Sequence, residues 1–186
     1  MFNNKYGLTR AVLEEWKTQT RRIAYIGDIK NADVRFLTDG KERGTCVLCD
    51  GCRIVARSAY KIDEEVAIAQ PYKDTWQHTG YMSAFEAKHC PGYNNKMFVR
   101  AEEMPHRIRI TNIRVERLQD ISESDCLKEG VKTIKNVKGD DVYSISDGTC
   151  FTTARLAFAS LIDKVSGKGT WDSNPFVFVY DFELVK

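Results

Sequence analysis

The chain has 186 residues, 42% of them hydrophobic and 29% charged, yet its net charge is only +2. That length and apolar fraction suit one domain with a real core, and the near balance of charge excludes a polycation that coats nucleic acid by charge alone. Residues 1–10 are polar and lack the apolar stretch of a secretory signal, and no apolar run approaches the ~18 residues that span a bilayer, so a cytoplasmic chain with reduced cysteines and no membrane partner is expected.

Thr9 can cap a short helix whose Val12, Leu13 and Trp16 share one face. The β-branched threonines of "KTQTRR" break that spacing and predict a helix end near Lys17. Residues 27–60 are the least regular, with hairpin-turn chemistry at Asp39-Gly40 and Asp50-Gly51. "EVAIAQ" (65–70) reads as a buried strand, and 71–95, rich in Gly, Pro, Asn and His, as a long surface insertion. "KMFVRAEEM" (96–104) is a further strand candidate.

The clearest strand signal is "HRIRITNIRVERL" (106–118). Ile108 and Ile110 alternate with arginines, and Ile113 and Val115 resume the alternation one residue out of step, which predicts a bulge at Thr111 or Asn112. "DISESDCLKEGV" (120–131) reads as a short helix with Ser122 and Asp125 resembling a capping box and Gly130 just past its end. Residues 152–165 form the best helix, capped by Thr152 or Thr153, with Leu156, Phe158, Ala159, Leu161, Ile162 and Val165 as its apolar face. "PFVFVYDFELV" (175–185) is apolar on both faces until Asp181, as a central strand would be. This order of elements predicts an α+β domain on a mostly antiparallel, barrel-like sheet.

Cys46, Cys49 and Cys52 form C-x2-C-x2-C, and Cys90, beside His89, could supply a fourth ligand for a structural zinc. The alternative is three reduced cysteines on a hairpin; Cys126 and Cys150 read as packing residues. No other cofactor is required. His78, His89 and His106 are not paired at metal or catalytic spacing, and no Gly-rich phosphate loop, H-E-x-x-H or G-x-S-x-G is present. Residues 88–117 hold seven Lys or Arg against three Glu, either a strip for a phosphate backbone or a solvated strand face.

In "EEWKTQTRRI" (14–23), Lys17 stands near two threonine hydroxyls. A neutral lysine amine can take a hydroxyl proton so that the oxygen attacks a carbonyl. The lysine pKa must fall for this, which burial and the cations Arg21 and Arg22 promote, and a carboxylate must come from elsewhere to handle the leaving-group proton. A charged helix end is the alternative reading of the same residues.

"LEEWKTQTRR" resembles the K-T-x-T-x-R signature that opens the ASCH domain, a compact β-barrel related to PUA RNA-binding domains. "YKIDEEVAIAQPYKD" resembles the family's turn and following strand, with Asp63 and Glu64 in place of Gly-Asp. "RIRITNIRVERLQDIS", "DCLKEG" and "GTWDSNPFVFVYDFELV" resemble its long strand, its acidic helix end and its closing strand, in an order similar to phage- and prophage-encoded members. The resemblance implies a single PUA-like domain over 1–186 with insertions at about 24–58 and 74–95.

Bacterial members of the family with known activity include small amidohydrolases that remove the acetyl group from N4-acetylcytidine. The resemblance implies Lys17 as base, Thr20 as nucleophile and Glu129 as acid/base partner, although Glu15 and Trp16 stand where the family has Gly and Arg. Arg22 falls on the family's arginine position, to bind phosphate or a carbonyl oxygen. The partner would be RNA or a modified nucleoside, with Arg21, Arg22, Arg107 and Arg109 gripping phosphate and Trp16 or Tyr72 offering a stacking platform. Trp16 equally fits a core position at helical spacing. The fold also serves non-catalytic RNA-binding modules, and a phage factor that binds a host protein through the two insertions is a further alternative.

Overall fold

The computed structural model describes residues 2, 6–26, 32–37, 43–79, 88–89 and 91–185. Helix α1 (Leu8–Leu13) starts after Gly7, which is left-handed at φ 62°, so Thr9 lies within the helix and does not cap it. Its end comes earlier than the sequence suggests. Glu15 also turns left-handed at φ 62°, and the N–H groups of Trp16 and Lys17 both fold back onto Ala11 O. The chain then leaves as strand β1 (Gln19–Ile23).

Strands β2 (Asp33–Leu37), β3 (Thr45–Asp50) and β4 (Arg53–Arg57) form a three-stranded antiparallel sheet, turned between the last two at Gly51 with φ 56°. The Asp50-Gly51 turn is therefore present, whereas Asp39-Gly40 lies outside the described residues. Within the stretch expected to be an insertion (24–58), Cys46 and Leu48 of β3 belong to the main hydrophobic core. Strand β5 (Glu65–Ala67) is shorter and less buried than its sequence suggests, since it is a sheet edge, and only the following Ile68 is deeply buried.

Helix α2 (Tyr72–Thr79) follows. Residues 96–104 do not form the expected strand. They make two 3-10 turns, Lys96–Phe98 and Ala101–Glu103. The Asn95 side chain accepts the Met97 N–H, a local bond that competes with a strand ladder.

Strand β6 (Arg107–Arg117) is as long as the alternation implies. It is followed by α3 (Glu123–Lys128), the hairpin and short third strand β7 (Lys132–Lys135), β8 (Asp141–Ser144) and β9 (Cys150–Phe151), helix α4 (Ala154–Ser166), the single turn α5 (Thr170–Ser173) and the closing strand β10 (Phe176–Val185). Ser122 caps α3 by accepting the Asp125 N–H, and Thr153 caps α4 by accepting the Leu156 N–H. On α4 the buried face is Ala154, Ala157, Phe158, Leu161 and Ile162, while Leu156 and Val165 are exposed. Cys126 is a packing residue as expected, but Cys150 is exposed.

The main sheet runs β1-β10-β6-β5, antiparallel throughout, and curls into a half-barrel. Asn112 pairs with Asp181 and Ile110 with Phe182, which leaves Thr111 as the bulged residue. The bulge lets Ile108, Ile110 and Ile113 all reach the core despite their broken spacing. They pack with Val177–Tyr180 of β10 and with Phe158 and Leu161 of α4. Tyr180 is fully buried, and its Oη accepts the Ala59 N–H at 2.8 Å, tying the chain after β4 to the main sheet. The molecule is thus α+β with mostly antiparallel sheets. Among the described residues no helix is long and apolar enough to cross a membrane.

Candidate active site

The site forms where the start of β1 meets the end of α3. Thr18 N–H donates to Lys128 O at 3.0 Å, which docks the two segments. Glu129 closes α3, and Gly130 leaves it at φ 109°. A Cβ on Gly130 would lie 3.3 Å from Leu8 Cδ2 and 3.6 Å from Lys17 Cδ. A glycine there is what lets the lysine stem pass beside the helix end.

Lys17 is 2% exposed. Its Nζ donates to Gln19 O, Glu129 O and Glu129 Oε2, each at 2.7 Å. An ammonium has three protons, so these acceptors engage all of them. Burial is the largest influence on Lys17 and lowers its pKa; Glu129 pulls it back up, and Arg22 and Arg21 lower it further. The net direction is down.

The other Glu129 oxygen, Oε1, accepts from Arg21 Nη1 at 3.0 Å. Arg21 is itself fixed by Glu116, whose Oε1 accepts from Nε at 3.0 Å and Nη2 at 2.6 Å, and by Gln19 Oε1 at 2.6 Å. Burial works against the charge of Arg21, but the Glu129 and Glu116 carboxylates outweigh it and raise the pKa. Asp125 accepts from Arg114 at 2.6 Å and also contacts Arg21 and Lys128. Burial opposes its ionisation, but Arg114, Lys128, Arg21 and Gln19 together hold its carboxyl below the usual value. Glu129 is therefore gripped on both oxygens by buried cations, one of which is locked by a shell of carboxylates.

In front of this pair opens a cavity of about 530 Å³. Lys17, Thr20, Arg21, Arg22 and Glu129 line it together with the apolar side chains of Phe158, Leu161, Ile162 and Val165 of α4. Tyr25, 85% exposed, and Lys96 also border it. Strand β1 is the edge of its sheet. Thr18 O accepts Phe182 N–H and Ala24 N–H donates to Phe176 O, so the even-numbered residues bond β10 while the main-chain groups of Gln19, Arg21 and Ile23 face outward. Gln19 O, which takes a Lys17 proton, is one of these outward groups.

Five of the residues singled out from sequence thus share one cavity: Lys17, Thr20, Arg21, Arg22 and Glu129. Arg21 is engaged by protein carboxylates and an amide, which makes it a positioning group for Glu129 and not a phosphate grip.

The remaining candidates lie elsewhere. Trp16 borders a separate shallow groove with Leu127, Val131 and Lys132; its Nε1–H donates to Glu14, and Lys132 Nζ sits 4.1 Å above its ring. Tyr72 is buried against Gly92, where a Cβ would meet its ring at 2.4 Å, and its Oη accepts the Arg100 N–H. Neither ring is presented to the cavity as a platform. Arg109 pairs with Glu65 and Glu183, and Arg107 donates to Ala101 O; neither lines the cavity. On β6, Arg109 and Arg114 are answered by carboxylates, Arg114 reaching Glu116, Asp125 and Asp181, while Arg107 and Arg117 donate to the carbonyls of Ala101 and Asn174.

Cys46 and Cys49 are buried in β3, and burial pushes the Cys46 thiol up to about 11, while Cys52 is exposed at the turn. Cys90 lies outside the described residues. Among the described residues no cluster of three or more His, Cys, Asp or Glu is arranged to hold a metal ion.

Sequence reasoning missed Tyr25 and the Gln19–Glu116 support, and counted Lys96 only within the basic strip of 88–117. Lys96 sits in a stretch read as a strand, and Tyr25 in one read as an insertion. Glu116 carried a usable signal: it alternates with Ile113 and Val115 on β6, so it falls on the face away from the core, where a carboxylate can answer an arginine. Comparison of the chain with protein-family models, with curated proteins and with solved structures finds no match.

Proposed function

We propose that this chain is an ASCH-type amidohydrolase of PUA-like fold that removes the acyl group from an N4-acylated cytosine nucleoside. The observation that carries the reading is the buried Lys17–Glu129 pair, 2.7 Å apart, on the wall of a cavity that Thr20 also lines. The cavity volume falls within the roughly 300–1,000 Å³ common for small-molecule sites.

The chemistry balances with the chain's own groups. Lys17 passes a proton to Glu129 Oε2, a transfer eased by the burial that lowers the lysine pKa. The neutral amine then takes the Thr20 hydroxyl proton as that oxygen bonds to the acyl carbon. The carbon–nitrogen bond breaks, and protonated Glu129 supplies a proton to the departing amine. Lys17 and Glu129 are then back in their starting states, with the acyl group on Thr20. Water repeats the cycle: its proton goes to Lys17, the new carbon–oxygen bond forms, the Thr20 ester bond breaks, and Glu129 reprotonates Thr20. The products are the free amine and a carboxylic acid.

The test is release of acetate from N4-acetylcytidine by purified protein. Thr20→Ala removes the nucleophile without leaving a buried charge, and should lower kcat by at least ~100-fold while the melting temperature stays near that of the parent. A Thr20→Ala variant as active as the parent sinks this mechanism.

A non-catalytic binding module is the second reading, favoured by the three acceptors that hold the Lys17 ammonium in place. In that case the nucleoside binds in the same cavity and no acetate is released.

A further inference from the structure

We propose that Glu116 of β6 is a positioning residue for the hydrolytic step: it keeps the buried Arg21 guanidinium paired while Glu129 holds the proton taken from Lys17, and so lets that proton stay on Glu129 Oε2. That step is the one given in the hydrolase reading above, on which the role rests.

Arg21 has five N–H bonds in a planar fork, and each is directed at an acceptor. Nε and Nη2 donate to Glu116 Oε1 at 3.0 and 2.6 Å, and Nη2 also reaches Asp125 Oδ2 at 3.4 Å. Nη1 donates to Gln19 Oε1 at 2.6 Å and to Glu129 Oε1 at 3.0 Å. The side chain is 1% exposed, so the fork cannot turn without breaking several bonds at once. The two oxygens of Glu129 are thereby sorted: Oε1 sits on Arg21, and Oε2 faces Lys17 Nζ at 2.7 Å. A proton leaving Lys17 has one carboxylate oxygen in front of it.

The charges change as that proton moves. Before the step, Glu129 is the counter-ion of both Lys17 and Arg21. The Lys17 Nζ–H bond then breaks, the Glu129 Oε2–H bond forms, and both groups become neutral. Arg21 stays positive and buried, and it loses one of its carboxylates. A buried cation without a partner is strongly unfavourable, and it would draw the proton back off Glu129. Burial opposes the charge of Arg21, and Glu129 and Glu116 are the carboxylates that outweigh it. Once Glu129 is protonated, that task passes to Glu116. Asp125 is the weaker support, since its Oδ2 lies 3.4 Å from Arg21 but 2.6 Å from Arg114. Glu116 Oε2 in turn accepts from Arg114 Nε at 3.2 Å, so a second arginine holds this carboxylate in place.

The experiment is steady-state hydrolysis of N4-acetylcytidine by the whole chain, its Glu116→Gln variant and its Glu116→Asp variant. Glutamine keeps the shape and removes the charge; aspartate keeps the charge and shortens the reach. Glu116→Gln should lower kcat by ~10–100-fold, as loss of an outer partner of a reacting group does, with KM within ~2-fold of the parent. Glu116→Asp should keep more of kcat than Glu116→Gln, the reverse of the order that packing alone would give. Should Glu116→Gln fold poorly, the aspartate variant decides: a folded Glu116→Asp that has lost ~100-fold in kcat puts shape and not charge in control, and overturns the proposal. A second readout needs no turnover. The Lys17 ammonium, in protein labelled with 15N-lysine, should change its NMR shift in Glu116→Gln and not in Glu183→Gln, which removes a carboxylate paired with Arg109. An unmoved Lys17 signal, or a parental kcat in Glu116→Gln, overturns the proposal and leaves the hydrolase reading standing. A parent that releases no acetate sinks the hydrolase reading, and a Lys17 signal that still moves with Glu116→Gln keeps Glu116 as the group that positions the pair.

Discussion

Glu129 Oε2 lies 2.7 Å from Lys17 Nζ across 112 residues of sequence, and both side chains are almost wholly buried. A pair of opposite charges so placed is poor evidence for stability by itself, since desolvation offsets much of the attraction. Removing one partner is different, because it strands the other charge in the interior. Glu129→Ala leaves both Lys17 and Arg21 without that carboxylate and should cost about 3–5 kcal/mol in denaturant unfolding. Lys17→Met combined with Glu129→Gln should recover part of the loss. A single substitution that costs less than ~1 kcal/mol would show that water reaches the pair.

Arg21 and Arg22 are neighbours in sequence, and the proposed function gives them separate tasks. Arg21 is locked by Glu116, Gln19 and Glu129, so Arg21→Lys, which cannot reproduce the planar fork, should lower stability by about 1–3 kcal/mol. Arg22→Gln should act mainly on ligand affinity. Thermal melts and ligand titrations of the two variants, run side by side, separate these effects; a larger loss of melting temperature from Arg22 than from Arg21 would contradict the assignment.

Asp125 links the site to acid stability. Its folded-state carboxyl is held below the ordinary value near 3.8, mainly through Arg114 and against the effect of burial. A depressed carboxyl contributes stability that is fully present above the unfolded pKa and is lost as pH falls through the folded one. Unfolding free energy measured from pH 6 down to pH 2 should therefore drop below about pH 4, and Asp125→Asn should flatten that drop while lowering stability at neutral pH. An unchanged acid limb in the variant would assign the acid sensitivity to other carboxyls.

Gly130 sets the room available to the Lys17 stem. Its φ of 109° disfavours any side chain, and an added Cβ meets Leu8 at 3.3 Å and approaches Lys17 at 3.6 Å. Gly130→Ala should cost about 1–3 kcal/mol and displace the lysine stem, lowering any acetate release along with stability. A fully stable, fully active alanine variant would mean that the helix end can relax without moving Lys17.

Where side-chain pattern and chain direction agreed, the sequence alone was enough. The broken alternation of Ile108, Ile110, Ile113 and Val115 predicts a bulge, and pairing with β10 puts it at Thr111. Ser122, Thr153 and Gly130 mark their helix ends because capping is a local bond or a local backbone angle, written within a few residues. The run 175–185, apolar on both faces, becomes an interior strand because Val177, Phe178, Val179 and Tyr180 bury both of those faces. Residues 96–104 went the other way: their apolar character suggests a strand, but they make two 3-10 turns, the second packed beside the edge strand β5 without joining its ladder, and a side chain at Asn95 takes the Met97 N–H.

The site divides along the same line. Lys17, Thr20 and Arg22 sit within six consecutive residues, and a motif that short is visible in the sequence. That Glu129 turns inward to meet them, that Arg21 faces carboxylates and not a ligand, and that Lys96 and Tyr25 border the same cavity were decided by tertiary structure. Charge has no period and no local signature of its partner. Whether an arginine grips a phosphate or a glutamate depends on which surface the folded chain sets opposite it, and for Arg21 that surface comes from β6 and the end of α3, about a hundred positions downstream.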